Sequence, residues 1–235
     1  MKNREYNQAD GVLLVDKPAD WTSFDVVNFV RRHFNLKKTG HCGTLDPFAT
    51  GLLIVLCGKA TRLQDALMGQ DKTYTGTMRL GVRTDSQDLT GQVVQTAEVP
   101  PFTLETLQAA ADKFLGDIEQ LPPMHSAIKI DGKPLYKLAR QGKEVERQPR
   151  PVRIDAFQLT ALRLPDVDFL VRCSKGTYIR TLAADLGEAL GTGAHLTALR
   201  RQSSGSHDVK DAVSLDDIRT WDIETLREHL HHVEE

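Results

Sequence analysis

One histidine, one aspartate and three glycines fall within Gly40-His41-Cys42-Gly43-Thr44-Leu45-Asp46-Pro47-Phe48-Ala49-Thr50-Gly51, directly before an apolar run over 52–56. Glycines permit backbone angles that other residues resist. Pro47 disfavours helical geometry at Asp46, which places Asp46 on an extended or turn backbone. The segment therefore predicts a shaped loop that holds one carboxylate ahead of a buried strand. Two readings of that loop stand at this point. It presents a carboxylate for chemistry, or it is a tight turn with a structural Asx cap. Cys42 beside His41 suggests a thiol nucleophile with its base, but adjacent residues rarely face each other productively.

The flanking sequence supplies elements to hold such a loop. Residues 11–15 read as a short apolar strand ended by Asp16-Lys17-Pro18. Thr22 or Ser23 caps a helix whose apolar face is Phe24, Val27, Val30 and Phe34. Arg31, Arg32, Lys37 and Lys38 make a basic lead into the loop, as would any solvated helix end. Beyond 52–56 the pattern predicts a helix over 59–68, a strand over 72–80 and a hairpin returning over 92–96. Thr103 caps a helix that runs through Phe114. Leu121-Pro122-Pro123-Met124 is a stiff entry to 126–130, and 134–141 reads as a short helix. Strands follow over 152–162 and 168–173. A helix starts at Thr177 and is ended by Gly191 and Gly193. A last strand covers 195–203, and two short helices fill 214–235. The intermixing lacks a regular βαβ rhythm, so the expected class is α+β.

At 235 residues and 40% hydrophobic, the chain is long enough to bury a core without staples. Cys42, Cys57 and Cys173 are widely spaced and form no CxxC pair, so neither a disulfide framework nor a zinc site is indicated. The polar start and the lack of any long apolar stretch predict a cytoplasmic protein. A net charge of −2 is low for a nucleic-acid binder. Its distribution matters more. Nine acidic and three basic residues lie from Asp208 onward, leaving 23 acidic and 27 basic before it, a net of +4. The body is mildly basic, which permits a polyanionic partner.

The wording of the loop closely resembles the catalytic loop of the TruB family of tRNA pseudouridine synthases. Other segments match that family in order. They are Gly11-Val12-Leu13-Leu14-Val15-Asp16-Lys17-Pro18 with Trp21-Thr22-Ser23, then Lys72-Thr73-Tyr74, then the stretch from Leu80-Gly81 to Thr90-Gly91. Pro122-Pro123-Met124-His125-Ser126 and Leu135-Tyr136-Lys137-Leu138 match a thumb-like insert at about 116–151. Cys173-Ser174-Lys175-Gly176-Thr177-Tyr178-Ile179-Arg180 and Ala194-His195-Leu196-Thr197-Ala198-Leu199-Arg200-Arg201 complete the set. The resemblance spans about 11–205.

It implies a mainly antiparallel, mixed central sheet flanked by helices. It also implies isomerisation of the uridine at position 55 in the T-loop of tRNA. The bond from ribose C1′ to uracil N1 breaks, the base turns, and C5 joins C1′. No electron or group is exchanged with a second molecule, so no cofactor and no metal are expected. Asp46 is implied as the catalytic carboxylate, either attacking C1′ or stabilising a cationic sugar while a glycal forms. An ionised carboxylate in a dry pocket demands a cation, and the resemblance names Arg180, which alone would read as a surface arginine on a helix. His41 is implied as the wedge that fills the gap left by the flipped base. Tyr74 is implied to stack on the uracil and to offer a phenol for proton transfer; unaided, it reads as a core residue of a strand. Tyr178 and Leu199 are implied to line the pocket. Asp88 is implied to hold Arg180 or the substrate. Lys17, Lys129 and the basic stretch 140–153 are implied as phosphate contacts that orient the T-arm, with the insert closing over the stem-loop.

The expected division is a catalytic core over 1–207 and a short acidic helical segment over 208–235, with no PUA domain of the kind many members carry. The expected partner is the tRNA T-arm, bound by a monomer without an obligate protein partner. Two other classes compete. A bare RNA-binding or tRNA-folding protein would not need Asp46, Tyr74 and Arg180 together. A glycosidase-like hydrolase would want a second carboxylate as acid or base.

Overall fold

Apolar runs bounded by glycine and proline become buried strands here, and the polar stretches between them become turns and short helices. The computed structural model describes residues 5–126, 128–130, 132–139, 141–142 and 145–231. The strands are β1 (Gly11–Lys17), β2 (Thr39–His41), β3 (Thr50–Cys57), β4 (Lys72–Leu80), β5 (Val82–Thr84), β6 (Val93–Thr96) and β7 (Gly116–Gln120). They continue as β8 (Lys129–Ile130), β9 (Lys133–Pro134), β10 (Arg150–Arg163), β11 (Asp166–Cys173), β12 (Ala194–Ser204), β13 (His207–Asp208) and β14 (Val213–Ser214). The helices are α1 (Ser23–His33), α2 (Gln64–Met68), α3 (Leu104–Ala111), α4 (Leu135–Ala139), α5 (Ile179–Ala189), α6 (Leu215–Thr220) and α7 (Ile223–Glu228). The fold is a mixed, mainly antiparallel α+β fold. Two compact units divide it: residues 1–74 with 200–235, and residues 75–199.

In the first unit, β3 pairs antiparallel with β1 and β2, and parallel with the end of β12, where Arg200 faces Thr50 and Arg201 faces Gly51. Strand β14 adds parallel to β1. The alternation of β3 sends Leu53, Val55 and Cys57 into one cluster and Leu52, Ile54 and Leu56 into another. Both faces are covered, which explains a continuous apolar run rather than an alternating one. The first cluster receives Val26, Val27, Val30 and Phe34 of the α1 region. Phe24 is 68% exposed. The expected helix face was thus turned by part of a step: at 3.6 residues per turn Val26, not Phe24, shares the stripe of Val30. The acidic tail joins the same core through Leu215, Ile218, Leu226 and Leu230. Asp216 and Asp217 of α6 and Glu224 and Glu228 of α7 are exposed, so these helices pack as part of the unit with their charges outward.

In the second unit, β10 pairs antiparallel with β11 and β7. Thr77 and Arg79 of β4 bond to Asp168 and Asp166 of β11. Phe157, Phe169 and Val171 of these strands and Leu182 and Leu186 of α5 are buried, and the Phe157 and Phe169 rings meet edge to face at 6.0 Å. The strand over 93–96 returns as expected, but its hairpin partner is β5, which lies inside the stretch expected as the turn, and not β4. The helix expected over 59–68 is instead a 3₁₀ segment, Gly58–Leu63, followed by the short α2. After the Pro122-Pro123 entry the backbone forms the short β8, paired with β9.

Candidate active site

The Asp46 loop leaves β2 at His41 and enters β3 at Thr50. Its first turn is pinned by Cys42, whose amide donates to the Ile54 carbonyl at 3.0 Å. The Asp46 carbonyl accepts the Ala49 amide at 3.1 Å and closes the turn. The residues on either side of Asp46 are each held. The Leu45 amide donates to Ser23 Oγ at 2.9 Å, and that hydroxyl lies 3.3 Å from the Leu45 carbonyl. Ser23 is fixed because it opens α1, whose start is a capping box between Thr22 and Asp25. The Pro47 carbonyl accepts from Lys17 Nζ at 3.0 Å and from the Asp20 amide at 2.9 Å. Asp46 itself stays part-exposed on this braced backbone.

Lys17 was expected at RNA phosphates. Its side chain is fully buried, and its ammonium also donates to the carbonyls of Pro18 at 2.7 Å and Trp21 at 2.6 Å. All three N–H donors are committed to the protein, so none is left for a phosphate oxygen. Burial pulls its pKa down to about 8, an effect opposed by the carboxylates of Asp20 and Asp46. Burial, reinforced by Arg201, also lowers the His41 pKa, which favours the neutral ring. His41 Nδ1 is buried without a hydrogen-bond partner among the described residues. The Cys42 thiol is pushed up to about 11 by burial, which removes it as a nucleophile. Tyr74 lies on β4 and is 8% exposed.

In the second unit, Arg180 lies in the first turn of α5 and is buried. Its guanidinium donates to the carbonyls of Ser86 and His125, each at 2.8 Å. It also lies 3.5 Å from the Asp88 carboxylate, both side chains being about 5% exposed. Asp88 Oδ1 accepts from Ser86 Oγ at 2.7 Å and from the amide and hydroxyl of Thr90. The turn aspartate thus places a carboxylate beside the Arg180 guanidinium. Tyr178 is the residue before α5, not inside it. Its amide donates to Gln120 Oε1 at 2.7 Å and its carbonyl accepts from Gln120 Nε2 at 3.1 Å. Leu199 is buried on β12. Lys129 is placed on β8 by its backbone. Arg140 and Lys143, expected among the phosphate contacts, lie outside the described residues. Arg147 donates to the Pro122 carbonyl at 3.0 Å.

Three participants escaped the sequence reading. Ser23 was named only as a cap, Gln120 carries no local signal, and Arg201 was visible only as the second of two arginines at the end of a strand. The Arg201 side chain is 1% exposed and donates to the carbonyls of Leu52 and Gly43.

The profile of the TruB family pseudouridylate synthase N-terminal domain matches residues 31–179, and that of the tRNA pseudouridylate synthase B C-terminal domain matches residues 180–235. The chain belongs to the TruB family. It is 54% identical to the tRNA pseudouridine synthase B of Opitutus terrae, over 95% of this chain and 92% of that protein. Against the protein of the same name from Syntrophotalea carbinolica the identity is 50%, over 89% of this chain and 68% of that one. A solved structure titled as a Cbf5-Nop10-Gar1 complex superposes with a TM-score of 0.70 at 31% identity, covering 93% of this chain and 60% of that chain. A second, of an archaeal box H/ACA sRNP Nop10-Cbf5 complex, gives 0.68 at 28% identity, over 97% of this chain and 65% of that chain. As a TruB-family member the protein is a pseudouridine synthase, an isomerase acting on RNA. Among the described residues no cluster of three His, Cys, Asp or Glu side chains is placed to hold a metal ion. No described helix is long and apolar enough to cross a membrane.

Proposed function

We propose that this protein converts uridine to pseudouridine in the T-loop of tRNA, with Asp46 as the carboxylate that acts at C1′. The observation that carries the reading is the bracing of the Asp46 loop. Leu45 and Pro47, on either side of the aspartate, are fixed by Ser23, Asp20 and Lys17, while the carboxylate stays part-exposed. Rigid presentation of one charged group is what a reaction at a single sugar carbon requires. The relatives named tRNA pseudouridine synthase B supply the substrate class.

The reaction breaks the C1′–N1 bond, turns the uracil, forms the C1′–C5 bond and releases the C5 proton. Asp46 meets the electron-poor C1′, as nucleophile or as counter-charge. The target base is extruded from its stack before any of this occurs. His41, held neutral by burial, fills the space the base leaves. Tyr74 receives the uracil on its ring face and offers its hydroxyl for the proton. Arg180 supplies the cation of the reaction, held rigid by its two carbonyl acceptors. Tyr178 and Leu199 contribute apolar surface to the base, and Lys129 contributes charge to the RNA backbone.

The test is tritium release from C5-labelled uridine in a T-arm stem-loop, comparing wild type with Asp46→Asn. Release by the wild type and none by the variant, with stem-loop affinity preserved, is the expected result. Stem-loop binding without release by the wild type would point to an RNA-folding protein, and release of free uracil to a hydrolase.

A further inference from the structure

We infer that Arg201 is a positioning residue for the isomerisation: its buried guanidinium ties together the two ends of the Asp46 loop and so fixes where the carboxylate stands. The inference rests on the assignment of Asp46 above.

The geometry is specific to a guanidinium. Nε donates to the Leu52 carbonyl at 2.7 Å and Nη2 to the Gly43 carbonyl at 3.2 Å. Gly43 precedes Asp46 and Leu52 follows it, so one side chain spans the base of the loop. The fork is planar and its donors keep a fixed relation, which a single ammonium cannot reproduce. The backbone of the same residue pairs with Gly51 across β12 and β3. Arg201 therefore reaches the loop's exit by its strand and its entrance by its side chain. Both acceptors are neutral carbonyls, and burying a guanidinium at 1% exposure carries a desolvation cost that packing alone does not require. An apolar residue would fill the same volume without that cost, but it would leave the ends of the loop untied. Gly43 makes room for the fork. It sits at φ +90°, and a Cβ there would stand 3.3 Å from Nη1. The charge also acts on its neighbours, since it helps lower the pKa of His41 at the loop's entrance. Nothing in the assignment of Arg201 calls for it to touch RNA; it acts through the loop.

The experiment compares wild type, Arg201→Lys, Gly43→Ala and the double variant in three measurements. These are hydrogen exchange across residues 43–52, stem-loop affinity, and single-turnover rate at saturating stem-loop. For Arg201→Lys we expect faster exchange confined to 43–52, affinity within about twofold, and a rate lowered by about tenfold or more, because small misplacements of a reacting group are costly. Gly43→Ala disturbs the same contact from the other side and gives the same signature. The double variant is no slower than the slower single, because both break one tether. Unchanged exchange over 43–52, or an unchanged rate despite faster exchange there, would overturn the inference. So would exchange raised throughout with affinity and rate lost together, the mark of a merely structural arginine. If Arg201→Lys does not fold, Arg201→Gln, which keeps the backbone at Gly43 unstrained, decides on the same criteria. Should the wild type form no pseudouridine, the Asp46 assignment fails, while the exchange data still report whether Arg201 holds the loop.

Discussion

The ammonium of Lys17 stands 3.0 Å from the carbonyl oxygen of Pro47, and Pro47 is the residue after Asp46. A lysine at the end of a strand thus acts as an internal brace for the loop that carries the carboxylate. With a pKa pulled down from 10.5 to about 8, it titrates within reach of ordinary assays. The neutral amine keeps two N–H donors for three carbonyls, so one brace is lost. Turnover is expected to fall with a midpoint near pH 8. The sign for stability is opposite. The folded-state pKa lies below the unfolded value, so the unfolded chain binds more protons between about 8 and 10.5, and the cost of burying the ammonium is relieved as pH rises through that window. Activity should therefore decline at alkaline pH without a drop in melting temperature from this group. Lys17→Met should be slow at every pH and lack this limb. Retention of the wild-type alkaline limb in Lys17→Met would assign the titration elsewhere.

The buried pair of Arg180 and Asp88 separates a catalytic loss from a structural one. Arg180→Lys keeps the charge but abandons the fork that serves the Ser86 and His125 carbonyls. Single-turnover rate is expected to fall about 100-fold with the fold intact. Asp88→Ala leaves a guanidinium buried without its carboxylate and strips the acceptor from Ser86 and Thr90. That change is expected to cost about 3–5 kcal/mol in a urea titration. Asp88→Asn retains an acceptor oxygen and should cost less. Near wild-type turnover in Arg180→Lys would remove Arg180 from the chemistry.

The legible parts of the site are those written in backbone chemistry. Glycine and proline around Asp46 announce a loop, and Thr22 and Thr103 announce helix starts as caps. Tyr74, Arg180 and Asp88 were named because their motifs resemble a family, not because their surroundings could be read. Burial of a cation leaves no local mark. Lys17 follows a short apolar strand and looks like its solvated end, yet the chain folds three carbonyls around it. Arg201 is hidden for the same reason. Strand β7 was missed because it pairs with β10 while most of its residues stay exposed, so it lacks an apolar signature. In the tail two short helices were legible, but only packing reveals that Leu226 and Leu230 complete a core begun at Leu13.

Gly51 offers the sharpest test of how the loop is joined to the sheet. It sits at φ +98°, a conformation that L side chains rarely adopt. It also lies directly across from Arg201 on β12. A Cβ at this position would overlap the Arg201 carbonyl oxygen and stand 2.8 Å from its amide nitrogen. Both neighbours are backbone, so neither can swing away as a side chain end could. Gly51→Ala must push β3 from β12, which opens the parallel pairing beside the Asp46 loop. Strain at the backbone and loss of close packing together predict destabilisation of about 2–4 kcal/mol. A thermal melt and a urea titration measure it directly. The effect on turnover should exceed the effect on stem-loop affinity, because the displaced strand carries the exit of the Asp46 loop. A Gly51→Ala protein as stable as the wild type would mean that β3 and β12 are not held at the distance seen here.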